Sequence, residues 1–259
     1  MEYFKKIEEK PNDDLAWNIP ERKSGLVNII GGNSQSFKTE IRIGEFLGKK
    51  YPVETLNLIL PDALRNQLPD LANFVFLKST ESGSFKDGDE ILQVFNRADF
   101  NLILGDLSKN SVTGRALASA CKDAKKPLLL TRDAVDLFAE NAGELDLMND
   151  NLIFFASMPQ LIKILRAVYY PKMLLLSQSL IQVADVLHKF TLSYPVSIVT
   201  LSNEQILVAK NGEVKAVPIL ESGFSPIMFW QGEMAAKILA FNLYNPNNFI
   251  KATISAIFS

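Results

Sequence analysis

Four short stretches of this chain combine residues that can do chemistry with the spacing of a strand-to-helix turn. The first is Gly31-Gly32-Asn33-Ser34-Gln35-Ser36-Phe37. Glycines let backbone approach a ligand, and a helix N-terminus offers unpaired N–H groups to an anion. A plain strand-to-helix turn uses the same residue types. Neither a Walker loop nor G-x-G-x-x-G is present. The second stretch, Gly105-Asp106-Leu107-Ser108-Lys109-Asn110, reads as a ligand loop or as a turn in which Ser108 or Asn110 caps the next helix. In the third, Thr131-Arg132-Asp133-Ala134, Asp133 either faces the same crevice or caps its own helix. In the fourth, Glu221-Ser222-Gly223-Phe224-Ser225-Pro226, Ser225 and Pro226 are the N-cap and first position of a long helix. The dipole at that end favours phosphate, while proline removes one donor. His188, beside Lys189 and Phe190, reads as a structural or surface residue.

Composition narrows the function classes. The 259 residues carry 27 Lys plus Arg against 29 Asp plus Glu, a net charge of -2 that exerts no long-range pull on a polyanion, so nucleic acid is not an expected partner. One cysteine, Cys121, and one histidine, His188, supply neither an intrachain disulfide nor a Cys/His zinc cluster, and no residue run marks a metal site. Residues 1–14 are charged and lack an apolar signal core, which fits a cytoplasmic location. Lys163, Arg166 and Lys172 interrupt one long apolar stretch and Glu233 and Lys237 another. Both fall short of the roughly 20 uncharged residues of a membrane span.

The elements that must position these loops follow from hydrophobic patterning. Apolar runs at 26–30, 55–60, 73–77, 100–104, 127–130, 152–155 and 196–200 alternate with helical spacing at 38–49, 89–97, 111–124, 133–140, 159–168, 172–190 and 226–244. The strand runs lack strict polar–apolar alternation, as expected of a parallel sheet covered on both faces. Lys210-Asn211-Gly212-Glu213 between two short apolar runs predicts an antiparallel hairpin at 205–217. Neither repeat nor linker is evident, so residues 1–259 read as one domain, with 1–24 as an N-terminal extension packing on it. The apolar face at 227–230 and the C-terminus at 250–258 read as core in preference to subunit contact.

From about Trp17 onward, the loops in this order resemble the ribokinase-like superfamily and, within it, the ADP- or ATP-dependent NAD(P)H-hydrate dehydratases. Residues 20–33, Pro-Glu-Arg-Lys-Ser-Gly-Leu-Val-Asn-Ile-Ile-Gly-Gly-Asn, are similar to that family's arginine, lysine-glycine and strand ending in Gly-Gly-Ser. Phe37 falls at its aromatic position, before Lys38-Thr39 in place of a Gly-Ala pair. Gly105 and Leu107 match its Gly-Pro-Gly-Leu-Gly turn, and 130–135 its Asp-Ala-Asp-Ala-Leu box with Thr131 for the first aspartate. Ser157 and Gln160 replace the histidine and glutamate of its Thr-Pro-His-Pro-Gly-Glu segment.

The resemblance implies a three-layer α/β/α fold with a mostly parallel sheet and a C-terminal antiparallel hairpin. It implies ADP or ATP with Mg2+, hydrated NADH or NADPH as substrate, and a homo-oligomer. The implied ligand-binding residues are Gly31, Gly32, Asn33, Phe37, Gly105, Asp133 and Gln160, with Ser222, Gly223, Phe224 and Ser225 at the phosphate. Where the family's Gly-Thr-Gly-Asp opens a helix with a proton-accepting aspartate, the match in this chain sets Pro226. Proline accepts no proton and donates no N–H, so catalysis is expected to be weakened or lost, with Asp133 and Glu221 as the nearest substitute carboxylates. An active dehydratase and a small-molecule kinase are the alternatives.

Overall fold

In the computed structural model, which describes residues 2–9, 20–69, 71 and 73–259, the expected strands all form. They are β2 (Ser24–Gly31), β3 (Val53–Pro61), β4 (Phe74–Leu77), β5 (Phe100–Gly105), β6 (Leu128–Thr131), β7 (Leu152–Phe155) and β8 (Ser197–Ser202), followed by the hairpin strands β9 (Gln205–Lys210) and β10 (Glu213–Pro218). A further strand, β1 (Phe4–Lys6), pairs parallel to β10 at the sheet edge. All ten join one sheet in the order β1-β10-β9-β8-β7-β6-β5-β2-β3-β4. From β2 the chain steps outward to β3 and β4, then returns to β5 on the other side of β2 and continues through β6, β7 and β8. The order therefore reverses between β2 and β5, and the crevice at such a reversal is where open α/β sheets place ligands.

Helices cover both faces. On one lie α1 (Lys38–Lys50), α8 (Glu233–Tyr244) and α9 (Phe249–Ile257), and on the other α2 (Gly88–Arg97), α3 (Ser111–Asp123), α4 (Asp133–Asn141), α5 (Met158–Ala167) and α6 (Leu180–Ser193). A short α7 (Pro226–Phe229) precedes α8. Every residue of β5, β6 and β7 is buried, which is why their sequences read as unbroken apolar runs.

The polar exceptions set the register. Asn28 of β2 lies opposite Asn57 of β3 and Asn101 of β5. Its side-chain amide donates to Asn101 Oδ1 and to the carbonyl of Val94, both at 3.0 Å, and it accepts from Asn57 at 3.2 Å. Asn101 donates in turn to the carbonyl of Phe95 at 3.0 Å. The ladder thus satisfies buried amides and ties the last turn of α2 to the sheet; slipping a strand by one residue would send these groups to the wrong face.

Two helices differ from their sequence-based ranges. The stretch 172–190 becomes helical only at Leu180, because Ser179 and Gln182 cap each other across the first turn. The stretch 226–244 is two helices. Gly232 adopts φ 101 and caps α8, so Pro226 opens the four-residue α7 and not the long helix. The apolar C-terminus is the core helix α9, capped by Asn248. Phe229 is buried as expected of core, whereas Ile227 and Met228 are exposed, since so short a helix presents one side to the sheet. Trp17, where the family resemblance begins, and much of the 1–24 segment lie outside the described residues. No helix among the described residues is long and apolar enough to cross a membrane.

Asn101→Ala removes the donor to Phe95 and the acceptor for Asn28 while leaving buried partners behind. It is expected to lower unfolding stability by about 2–4 kcal/mol in a urea titration.

Candidate functional site

The loops that end β2, β5, β6 and β7 meet at the reversal point, and Asp133 holds them. As the first residue of α4, Asp133 could have capped its own helix. Instead its carboxylate accepts the amide of Asp106 at 2.8 Å and that of Leu107 at 3.0 Å, across the gap from β6 to β5. Gly105 makes this possible: its φ is +116, and a Cβ there would collide with Asp133 Oδ1. Asp106 and Arg132 both have φ 53, an uncommon conformation for residues with side chains, and they face each other. The Arg132 guanidinium grips the Asp106 carboxylate through Nη2 at 2.8 Å and Nη1 at 3.3 Å.

The β2 loop is drawn into the same knot. Gly32 N donates to the carbonyl of Gly105 at 2.9 Å, and Asn33 Nδ2 to that of Asp106 at 2.5 Å. Asn33 also accepts from the amides of Gln35 and Ser36, closing a tight turn. Phe37 stands before α1 and makes no side-chain cap. Gln160 of α5 donates to the carbonyl of Arg132 at 2.6 Å and to Asp136 at 2.7 Å, and accepts from Ser157 N at 3.0 Å. In the β5 loop Asn110, and not Ser108, caps α3, by accepting the amide of Thr113 at 2.8 Å. Five of the seven expected ligand-binding residues, Gly32, Asn33, Gly105, Asp133 and Gln160, are thereby linked, with Gly31 opposite Gly105 in the strand register and Phe37 alongside.

The fourth loop stands apart. Ser222 Oγ donates to the carbonyl of Ile219 and accepts from Phe224 N, and Ser225 Oγ accepts from Met228 N at 3.3 Å. Phe224 packs under the Lys237 ammonium, and Glu221 is exposed. Among the described residues no hydrogen bond joins residues 221–225 to the loops at Gly32, Gly105 or Asp133. What reaches the reversal point is the start of α8. A Cβ on Gly232 would lie 3.0 Å from Leu104 of β5 and 3.3 Å from Ile43 of α1. The next residue, Glu233, pairs with Arg42 of α1 at 2.6 Å, and Arg42 also donates to the carbonyl of Gln231 at 2.7 Å. A glycine followed by an acidic residue inside the run 226–244 is a helix break and a first-turn acid, the signal that could have revealed this start.

Sequence patterning also passes over Glu40. This α1 residue is fully buried, and neither carboxyl oxygen has a hydrogen-bond partner. It lies against Gly31, where a Cβ would strike both the Glu40 carboxyl and the Gly105 carbonyl. Burial, then Asp106, push its pKa up to about 8, with its own backbone amide and then Arg132 opposing. Burial likewise raises Asp133, offset in part by its two amide donors. Three carboxylates thus share one guanidinium. Among the described residues no three His, Cys, Asp or Glu side chains are arranged to hold a metal ion.

Helix ends sharpen the electrostatics. The helices α2, α3, α6, α7 and α9 are capped by Asp87, Asn110, Ser179, Ser225 and Asn248, whose side chains accept first-turn amides. By contrast α1, α4 and α8, which start at the reversal point, have no side-chain cap. His188 is structural: Nδ1 contacts the Gly212 carbonyl at 2.5 Å and the ring stacks on Tyr3. Cys121 is buried, which raises its thiol pKa.

Among known proteins, no family model matches the chain and no curated protein sequence matches it. Solved structures match in shape. A ribokinase-like superfamily protein from Enterococcus faecalis aligns with a TM-score of 0.64 at 14% identity, covering 100% of this chain and 86% of that one. An ADP/ATP-dependent NAD(P)H-hydrate dehydratase from Bacillus subtilis, co-crystallised with ATP/Mg2+, aligns with a TM-score of 0.57 at 10% identity, covering 97% and 82%. At such identities the likeness shows the fold: three layers, ribokinase-like, with the antiparallel hairpin β9–β10.

A carboxyl protonated in the folded chain but ionised in the unfolded one costs stability as pH climbs from the ordinary glutamate range through about 8. Glu40→Gln keeps the shape without the charge. The variant and parent are expected to be closest in stability near about pH 5, with the variant ahead by about 2 kcal/mol or more near about pH 9 in denaturant titrations.

Proposed function

From the ribokinase-like fold as premise, we propose that this chain binds a nucleotide or nucleotide-like ligand at the reversal point as a diverged NAD(P)H-hydrate dehydratase-like protein whose catalysis is weakened or lost. The observation that carries the binding reading is the set of starts of α1, α4 and α8, which have no side-chain cap and whose positive helix ends favour a phosphate. The likeness to a dehydratase crystallised with ATP/Mg2+ supports the ligand class. Magnesium would arrive on the nucleotide phosphates: Asp106 is committed to Arg132 and Asp133 to two amides, so these residues do not fit a metal cage of their own. The expected contribution of Ser222, Gly223, Phe224 and Ser225 is at most peripheral, because Ser222 and Ser225 are occupied locally.

Weak catalysis follows from the same bonds. Asn33 and Arg132 are spent on Asp106, Asp133 on the amides of Asp106 and Leu107, and Gln160 on the carbonyl of Arg132, and a group engaged in holding loops is not free to take a substrate proton. The proposal keeps a small-molecule partner and excludes nucleic acid and membrane. It extends to self-association through Leu220, Ile227 and Met228, which are exposed beside α7.

One observation favours the active alternative. Glu233, behind Gly232, opens the helix that reaches the reversal point, so a carboxylate stands where Pro226 was expected, though paired to Arg42. In that reading Glu233 accepts the proton of a substrate hydroxyl as phosphoryl transfer proceeds.

ADP or ATP is expected to raise the melting temperature, while recovery of reduced-nicotinamide absorbance from hydrated NADH stays at background. Recovery that falls by roughly a hundredfold or more in Glu233→Gln would establish the active reading; silence in both assays would remove the nucleotide site.

A further inference from the structure

One carboxyl at the crevice is used by none of the bonds that build it. Glu40 is the third residue of α1, in the turn that starts at the reversal point, and it is fully buried. A Cβ on Gly31 would strike both Glu40 Oε1 and the Gly105 carbonyl, so the acid reaches the backbone of β2 and β5 where their loops begin. Among the described residues neither of its oxygens has a hydrogen-bond partner, and both are out of solvent. A ligand in the crevice cannot touch them. Whatever Glu40 does to such a ligand passes through the electric field.

The charged groups that act on Glu40 belong to the knot of loops. Asp106 of the β5 loop and Asp133 of α4 raise the cost of its ionisation, while its own backbone amide and Arg132 lower it. Arg132 is already held by Asp106 at 2.8 Å. β2 faces Glu40 through Gly31, which brings no charge. On its own helix Lys38 is exposed, and Arg42 is turned to Glu233 of α8 at 2.6 Å. Burial has the largest influence of all, and together these push the pKa up to about 8.

We propose that Glu40 is a proton switch for the anion site: a phosphate-bearing ligand at the starts of α1, α4 and α8 is held while Glu40 is neutral and loosened as Glu40 ionises. The switch rests on the nucleotide-binding reading and adds that binding takes up a proton. Where the acid is neutral in both the free and the bound chain, affinity does not vary with pH. Above its free pKa, the ligand either binds against a carboxylate or draws a proton from solvent to neutralise it. Affinity therefore falls as pH climbs through about 8 and levels off beyond the higher pKa of the complex. Two unit charges about 10 Å apart at an effective dielectric of about 20 alter a binding constant by roughly tenfold.

ADP is the probe, titrated calorimetrically into the full chain in paired buffers of different ionisation heat, which report the protons taken up. The parent is expected to lose affinity severalfold, approaching about tenfold, between about pH 7 and about pH 9.5, with uptake of about half a proton near about pH 8.5. Glu40→Gln keeps the shape and stays neutral. It should hold its affinity to the top of the range and take up no proton there. Glu45→Gln, exposed on the same helix, should follow the parent. A carbon-13 label on the glutamate carboxyls needs no ligand: one resonance, absent from Glu40→Gln, should titrate at about 8 and move higher with ADP. Equal pH profiles in the parent and Glu40→Gln, or a Glu40 resonance titrating in the ordinary glutamate range, would overturn the switch and leave nucleotide binding standing. Absence of ADP binding at every pH would overturn the nucleotide reading and the switch with it.

Discussion

A backbone turn that residues with side chains rarely adopt has to be held in place at the centre of this structure, and the carboxylate of Asp133 is what holds it. The turn at Gly105 and Asp106 carries positive φ at both positions. Its two exposed amides would be orphaned in a buried crevice without an acceptor. Asp133 supplies both oxygens, and the Asp106 side chain is then returned to Arg132 on the next loop. Once this is set, Gly32 and Asn33 find carbonyls to bind and Gln160 finds the carbonyl of Arg132. Four loops from four strands become one rigid unit.

The same economy creates the molecule's least comfortable group. Arg132 is engaged by Asp106 and the amides of Asp106 and Leu107 by Asp133, and neither oxygen of Glu40, the third carboxyl group, which is entirely buried, has a hydrogen-bond partner. It is accommodated by keeping its proton, since a neutral acid costs far less to bury than an unpaired charge. The crevice therefore combines uncapped, positively polarised helix starts with a carboxyl that adds little negative charge near neutral pH, a setting hospitable to phosphate.

Much of this was visible in the linear order of residues. The alternation of apolar runs with helical spacing gave the sheet and both helical layers, because burial on two faces demands unbroken Val, Ile, Leu and Phe. The Asn211-Gly212 turn announced the hairpin, and the glycines at 31, 32 and 105 marked loops that approach one another closely. Helix ends were less legible. Periodicity runs straight through Gly232, since the residues on either side of it stay apolar on the buried face, and through 172–179, where Leu174 is buried although the chain there is not helical.

Residue types and their spacing determined the fold class, the strand order's raw material and which loops gather at one end, because hydrophobic pattern and turn chemistry act over a few neighbouring positions. Only the tertiary structure decided the partners. That Asp133 serves amides 26 and 27 residues away, that Arg42 meets Glu233 across 191 positions, and that Glu40 and Tyr244 are left without partners depends on which groups packing brings within hydrogen-bonding reach. Electrostatic and hydrogen-bonding interactions fall off over a few ångströms, and distance along the chain carries almost no information about distance in space.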